Sequence, residues 1–187
     1  MKISWAQLYN DVASCEKCRL CETRTNVVPG EGDPHARLMF IGEGPGQEED
    51  RLGRPFVGRS GELLTRMIQA IGMERTETYI CNIVKCRPPK NRNPDPDEAA
   101  ACLPYLRGQF ALIRPKVVVL LGKVACQYTL NEQVFITRDH GQWHERKGVW
   151  FMPTFHPSAL LRDPEKKRDA WEDFLKVRDK LRELSEG

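Results

Sequence analysis

Three groups of residues in this chain have types and spacings that could do chemistry: seven cysteines, a glycine-rich loop hemmed by acids, and a histidine followed by Pro-Ser. Cys15 and Cys18 form a C-x2-C pair, while Cys86 and Cys102 are separated by fifteen residues. A zinc ribbon would want a second close pair. Cys21 extends the first pair to C-x2-C-x2-C, which also looks like a ferredoxin-type run. The start, MKISWAQLYNDVASC, lacks a signal peptide's apolar core. A disulfide framework is therefore not expected, and metal or cluster ligation is the better assignment. Cys81 and Cys126 have apolar neighbours and read as small buried hydrophobes.

The loop Gly42-Glu43-Gly44-Pro45-Gly46 follows an apolar run, where glycines permit close backbone approach. A phosphate fits it poorly. A dinucleotide fingerprint needs glycine where Gln47 stands, Pro45 removes a backbone donor, and no Gly-Lys-Ser/Thr triplet occurs. Glu43 and the run Glu48-Glu49-Asp50 would repel an anion, so no nucleotide cofactor is expected. Phe56, in GRPFVG, offers a flat face to an unstacked ring, or is an ordinary core aromatic. Asn82 carries a donor and an acceptor on one amide, or is a turn former at a strand end. His156 precedes Pro-Ser after an apolar strand, a place suited to a hydrogen-bond donor in catalysis.

These groups need elements to carry them. Residues 1–26 read as a short helix bearing Cys15, Cys18 and Cys21, followed by a turn-rich connector. Residues 37–41 form an unbroken apolar strand, as in sheets covered on both faces. Leu63, Leu64, Met67, Ile68 and Ile71 recur with helical spacing in 60–72. A second strand over 78–84 runs into KCRPPKNRNPDPD, whose prolines exclude regular structure. Asp97 is placed to cap a helix over 98–113. KVVVLLG is the strongest strand, GKVACQYTL the helix after it, and 139–148 a hairpin or excursion. VWFMPTFHP is a last strand running into a loop, and 164–184 a charged amphipathic helix. This alternation predicts an α/β fold, a three-layer α/β/α sandwich around a central, mainly parallel four-stranded sheet, with 1–187 as one domain. Ligands bind beyond the carboxyl ends of such strands, which would bring the segments at Gly42, Asn82 and His156 to one site.

The net charge of +3, from 29 basic and 26 acidic residues, does not announce a nucleic-acid binder. Its distribution says more. Lys85, Arg87, Lys90 and Arg92 fall within eight residues containing no acid, a field able to hold phosphates, or else a solvated loop. Ser158 and Arg162 are also suited to phosphate contact, and Arg51, Arg54 and Arg59 to carrying a strand past the glycine loop. No apolar run approaches the roughly 18 residues of a membrane span, so a cytoplasmic location without membrane contact is expected.

Taken together, GEGPGQEED, GRPFVGRSGELL, CNIVKCRPP and PTFHPSALLR, in that order and with the cysteine pattern, resemble the family 4 uracil-DNA glycosylases, an iron-sulfur group. The resemblance implies that Gly42, Glu43 and Gly44 line a uracil pocket, Phe56 stacks on the base, Asn82 reads its edge, Glu49 crowds the 5-methyl of thymine and His156 supports the departing ring. It further implies a structural [4Fe-4S] cluster on Cys15, Cys18, Cys86 and Cys102, with Cys21 spare. Glu43 would activate the attacking water or offset the cationic sugar, and Leu160 or Leu161 either wedges into the base stack where the base leaves or is a packing residue. The implied reaction is hydrolysis of the N-glycosidic bond of uracil in single- or double-stranded DNA, with water as nucleophile. A monomer is expected, with replication or repair factors as candidate partners.

Two rivals remain at this point. One branch of the superfamily is trapped on its abasic product through a histidine in an extra loop after the second strand. Here PPKNRNPDPDE is short and has no histidine, so product release is expected. The other rival is a non-catalytic cluster protein that binds nucleic acid beside a polymerase.

Overall fold

A computed structural model describes residues 3–186. Six strands, β1 (Glu31–Gly32), β2 (Leu38–Gly42), β3 (Tyr79–Asn82), β4 (Val117–Leu121), β5 (His144–Arg146) and β6 (Val149–Thr154), form one sheet in the order β1-β3-β2-β4-β6-β5. The central four, β3-β2-β4-β6, are parallel, as the four-stranded expectation held. The two short edges are additions: β1 and β5 run antiparallel to β3 and β6. β1 has two residues and β5 three, too short to leave a periodicity in the sequence. The turn from β5 to β6 uses Lys147 and Gly148, both at positive φ, in keeping with a tight hairpin.

Every residue of β2, β3 and β4 is buried, which explains their unbroken apolarity. Met39, Ile41, Tyr79, Cys81, Val118 and Leu120 face one layer, built by α1 (Trp5–Ala13), α4 (Pro96–Ile113) and α5 (Lys123–Leu130). Leu38, Phe40, Ile80, Val117 and Val119 face the other, built by α3 (Arg59–Ala70) and α8 (Lys167–Glu186). Cys81 and Cys126 lie wholly inside the first layer as apolar filling. Three short helices complete the fold: α2 (Gln47–Leu52), α6 (Ile136–Asp139) and α7 (Pro157–Arg162). No helix of the described residues is long and apolar enough to cross a membrane.

Three local expectations need correction. The first helix ends at Ala13, because its buried stripe stops at Val12; Cys15, Cys18 and Cys21 follow it, around a 3-10 turn over Arg19–Glu22. The cap of α4 is Asp95, not Asp97. Pro96 fits the first helical position, and the Glu98 side chain accepts from Asp95 N at 2.8 Å to close a capping box. Beyond β6 the chain does not enter an open loop: His156 itself caps α7.

Candidate active site

The carboxyl ends of β2, β3, β4 and the segment after β6 open onto one cleft of about 520 Å³. Glu43, Gly44, Glu49, Phe56, Asn82 and His156 all line it, so residues from four distant segments meet as the strand-end rule requires. Gly42 is buried behind that lining. Parallel pairing sets it beside Asn82, and a Cβ on Gly42 would meet Asn82 Oδ1 and lie 2.7 Å from Phe56 Cζ. Glycine is required there because an amide and a ring converge over it.

Asn82 is 1% exposed, and its Oδ1 has no hydrogen-bond partner among the described residues. A buried acceptor left unmade costs about 1–3 kcal/mol, so this atom is set for a donor arriving from the cleft. The Phe56 ring lies 5.5 Å from the His156 ring at 31°, so the two rings wall the same space. His156 Nδ1 accepts from Ser158 N at 3.1 Å, with Ser158 Oγ at 2.7 Å. Burial, then the Arg162 charge, push the imidazole pKa down to about 4. The ring is therefore neutral at pH 7 and carries its hydrogen on Nε2. Burial also holds the Glu43 carboxyl above its usual range.

The acid run has a second job that sequence reasoning missed. Glu49 Oε1 accepts from Val57 N at 3.0 Å and Gly58 N at 3.1 Å, holding the loop that carries Phe56. Buried Asp50 accepts from Thr25 N at 2.9 Å and ties that loop's base to the cysteine segment. Arg51 pairs with Glu48 and Arg54 with Glu31, so neither is an uncommitted cation.

The basic run divides. Lys85 is 1% exposed: its ammonium donates to Asn82 O at 2.7 Å and Gln109 Oε1 at 2.8 Å, which removes it from any DNA surface. Arg92 lines the cleft yet is held by Glu98 at 2.7 Å. Arg87 donates to Asn91 at 2.7 Å and is half-buried, while Lys90 is exposed. Arg59 and Arg162 are exposed, at the start of α3 and the end of α7. Leu160 is 1% exposed and packs on Phe155 and Ala170, so it is core and not a wedge; Leu161 is half-buried. The Ser158 hydroxyl is engaged by His156 instead of facing a phosphate. Lys123 and Lys166, which sequence reasoning passed over, also line the cleft. Lys123 follows the end of β4, where the strand-end rule would have found it.

A second, small cavity is lined by Cys15, Cys18, Cys21, Cys86 and Cys102. Lys85 N donates to Cys102 Sγ at 3.2 Å and Arg24 Nη1 to Cys86 Sγ at 3.3 Å. Among the described residues no three His, Cys, Asp or Glu side chains are gathered as ligands of one metal ion. Thiols on this cavity, two of them receiving N–H donors, are a donor set of the kind that ligates iron–sulfur clusters.

With that geometry in place, comparison with known proteins gives the class. A family model described as the uracil DNA glycosylase superfamily matches residues 29–175, and the chain belongs to that superfamily. Its similarity narrows further. The chain is 45% identical to the type-4 uracil-DNA glycosylase of Sulfurisphaera tokodaii over 94% of this chain and 84% of that one. It is 48% identical to the type-4 uracil-DNA glycosylase of Thermotoga maritima over 89% of each chain. The type-4 uracil-DNA glycosylase of Saccharolobus solfataricus is 42% identical, over 92% of this chain and 84% of that one.

Proposed function

We propose that this chain excises uracil from DNA, hydrolysing the N-glycosidic bond of a flipped-out deoxyuridine and leaving free uracil and an abasic site. The observation that carries this reading is the buried Asn82 Oδ1, unpartnered among the described residues, in the cleft that the Phe56 and neutral His156 rings also line. An extruded uracil stacks on Phe56. Its N3–H donates to Asn82 Oδ1, and Asn82 Nδ2 donates to O4. Cytosine presents the opposite pattern at both atoms and leaves two buried groups unmade, a strong discriminator. Glu49, on the same wall, crowds the position of a thymine methyl.

As the bond breaks, negative charge gathers on the uracil oxygens. His156 donates from Nε2 toward O2, and because the ring is neutral it stabilises that charge without surrendering its proton. Glu43, its carboxyl raised by burial, orients and deprotonates the attacking water. Gly44 admits the base and sugar to close backbone approach, and Gly42 leaves room for the Asn82 amide and the Phe56 ring beneath the base. Arg59, Arg87, Lys90 and Arg162 face the DNA strand.

Cys15, Cys18, Cys86 and Cys102 would hold a [4Fe-4S] cluster, whose contribution is a structural cross-link between the segment after α1, the loop after β3 and α4. Residues 1–187 act as one domain and as a monomer, in the cytoplasm, a reducing compartment that keeps cysteines out of disulfides.

The deciding experiment incubates the protein with a uracil-containing oligonucleotide, without added metal or nucleotide, then applies alkali. Strand scission at the uracil is expected. Well-folded, brown protein that makes no abasic sites would leave the non-catalytic binding module instead. A complex stable to denaturant would contradict free release of product.

A further inference from the structure

Phe56 sits at φ +48°, the left-handed region that a bulky residue seldom adopts. Something must hold it there. The Arg75 guanidinium reaches across from a 3-10 turn over Arg75–Glu77, donating to Pro55 O at 2.5 Å and Phe56 O at 2.7 Å. On the other side Glu49 accepts from the next two amides, Val57 and Gly58. Four consecutive residues are thus gripped by a cation on their carbonyls and an anion on their amides. Gly61 completes the seat, since a Cβ there would overlap the Phe56 carbonyl.

Arg75 is itself anchored. It donates to Thr65 Oγ1 at 3.0 Å and to Glu31 Oε1 at 3.0 Å, and its side chain is 16% exposed. Glu31 also takes Arg54 through both oxygens. Glu31 stands on β1, so the two-residue edge strand, which adds little to the sheet, delivers a carboxylate to the arginine behind the Phe56 loop. Among the described residues, every hydrogen bond that the Arg75 guanidinium donates goes to that loop, to Thr65 of the helix after it, or to Glu31.

We propose that Arg75, seated by Glu31, is a positioning residue for uracil excision: it fixes the strained backbone that presents the Phe56 ring to the flipped base. The inference rests on the reading of Phe56 as the stacking face. Arg75 touches neither base nor sugar, and it acts only through the angle and stiffness of that ring.

The test separates base binding from fold and from DNA binding. In Arg75→Met, the inhibition constant of free uracil should rise about tenfold or more, as expected for losing hydrogen bonds to a charged group. The single-turnover excision rate should fall by a similar factor. Affinity for abasic-site DNA, which offers Phe56 no base, should stay at the wild-type value. Activity of Arg75→Ala should be partly restored by millimolar guanidinium chloride and not by sodium chloride at equal strength. Unchanged uracil inhibition in folded Arg75→Met overturns the proposal, as does equal loss of uracil and abasic-DNA binding. Should the Arg75 variants not fold, Glu31→Gln is read the same way: a smaller split in the same direction supports the clamp, and wild-type uracil inhibition overturns it. Wild-type protein that releases no uracil removes the proposed function itself, whereas an active wild type with an indifferent Arg75 removes only the clamp.

Discussion

The Ser158 amide, 3.1 Å from His156 Nδ1, fixes which nitrogen of that ring carries the hydrogen. Because an N–H can only donate, Nδ1 is an acceptor, and the hydroxyl of the same serine at 2.7 Å donates to it as well. Nε2–H is left to face the cleft. His156→Ala should lower the excision rate by about 10²–10³, the usual loss for one donor at a developing oxyanion, with cluster colour retained. Ser158→Ala keeps the amide contact and should cost only a few-fold. An equal loss in both variants, measured by single-turnover excision, would mean that the hydroxyl does more than orient the ring.

The same ring gives a stability signature. Its pKa is about 4 in the fold, against an ordinary value of 6.5. Between those values the unfolded chain binds a proton that the folded one refuses. Stability from this group is therefore complete above about pH 6.5 and lost as pH falls toward 4, by up to about 3 kcal/mol. Urea midpoints of wild type and His156→Asn at pH 7, 5.5 and 4.5 should diverge in that window, with the variant less sensitive to acid.

Glu43 predicts the acid limb of activity. The carboxylate form is the base, and burial raises its pKa, so excision should fail on acidification with a midpoint above that of an ordinary glutamate. Glu43→Gln should flatten that limb and lower the maximal rate by about 10²–10⁴. A pH–rate profile left unaltered by the variant would assign the limb to another group.

Gly42→Ala tests the packing behind the cleft. The new methyl must displace the Asn82 amide or the Phe56 ring, and such overpacking costs about 1–3 kcal/mol. Loss of excision with folding retained is the expected outcome, read by strand scission and by thermal melting. Wild-type activity would show that amide and ring do not converge there.

Glu98 and Cys86 test the tie between the thiol-lined cavity and the loop after β3. The Glu98 carboxylate is fully buried, held by Arg92 at 2.7 Å and Arg19 at 3.0 Å. The hydrogen bond from Arg92 leads in holding its pKa down to about 2. Glu98→Gln removes the buried anion and leaves the two arginines only the exposed Asp95 and Asp97, so the urea midpoint should fall. Cys86→Ser should lower iron content and DNA affinity together, and full affinity in cluster-free protein would sink the structural role.

The parallel centre of the sheet was readable because β2 and β4 are apolar at every position, a pattern that only a strand covered on both faces tolerates. Gly42, Asn82 and His156 were readable as a group because strand ends follow from strand order. Lys85 was misplaced because a basic run in sequence says nothing about which side chain turns inward, and Gln109, its partner, lies on a helix 24 residues away. Leu160 failed for a like reason: one leucine of a pair must fill the core under α7, and nothing local says which. Arg75 and Glu31 left no local signal, since their shared work is on the backbone of residues distant from both.

The inward turn of Lys85 also bears on how binding responds to salt. Of the four cations between 85 and 92, Lys85 faces Asn82 and Gln109, and Arg92 faces Glu98, which leaves Arg87 and Lys90 to displace counterions. Each phosphate neutralised on duplex DNA contributes about 0.9 to the slope of log affinity against log salt. The loop should therefore contribute a slope near that of two phosphates rather than four. Fluorescence anisotropy titrations at graded potassium chloride, wild type against Arg87→Ala and Lys90→Ala, would measure this directly, and the protein should release its grip on DNA more gently with ionic strength than its basic run advertises.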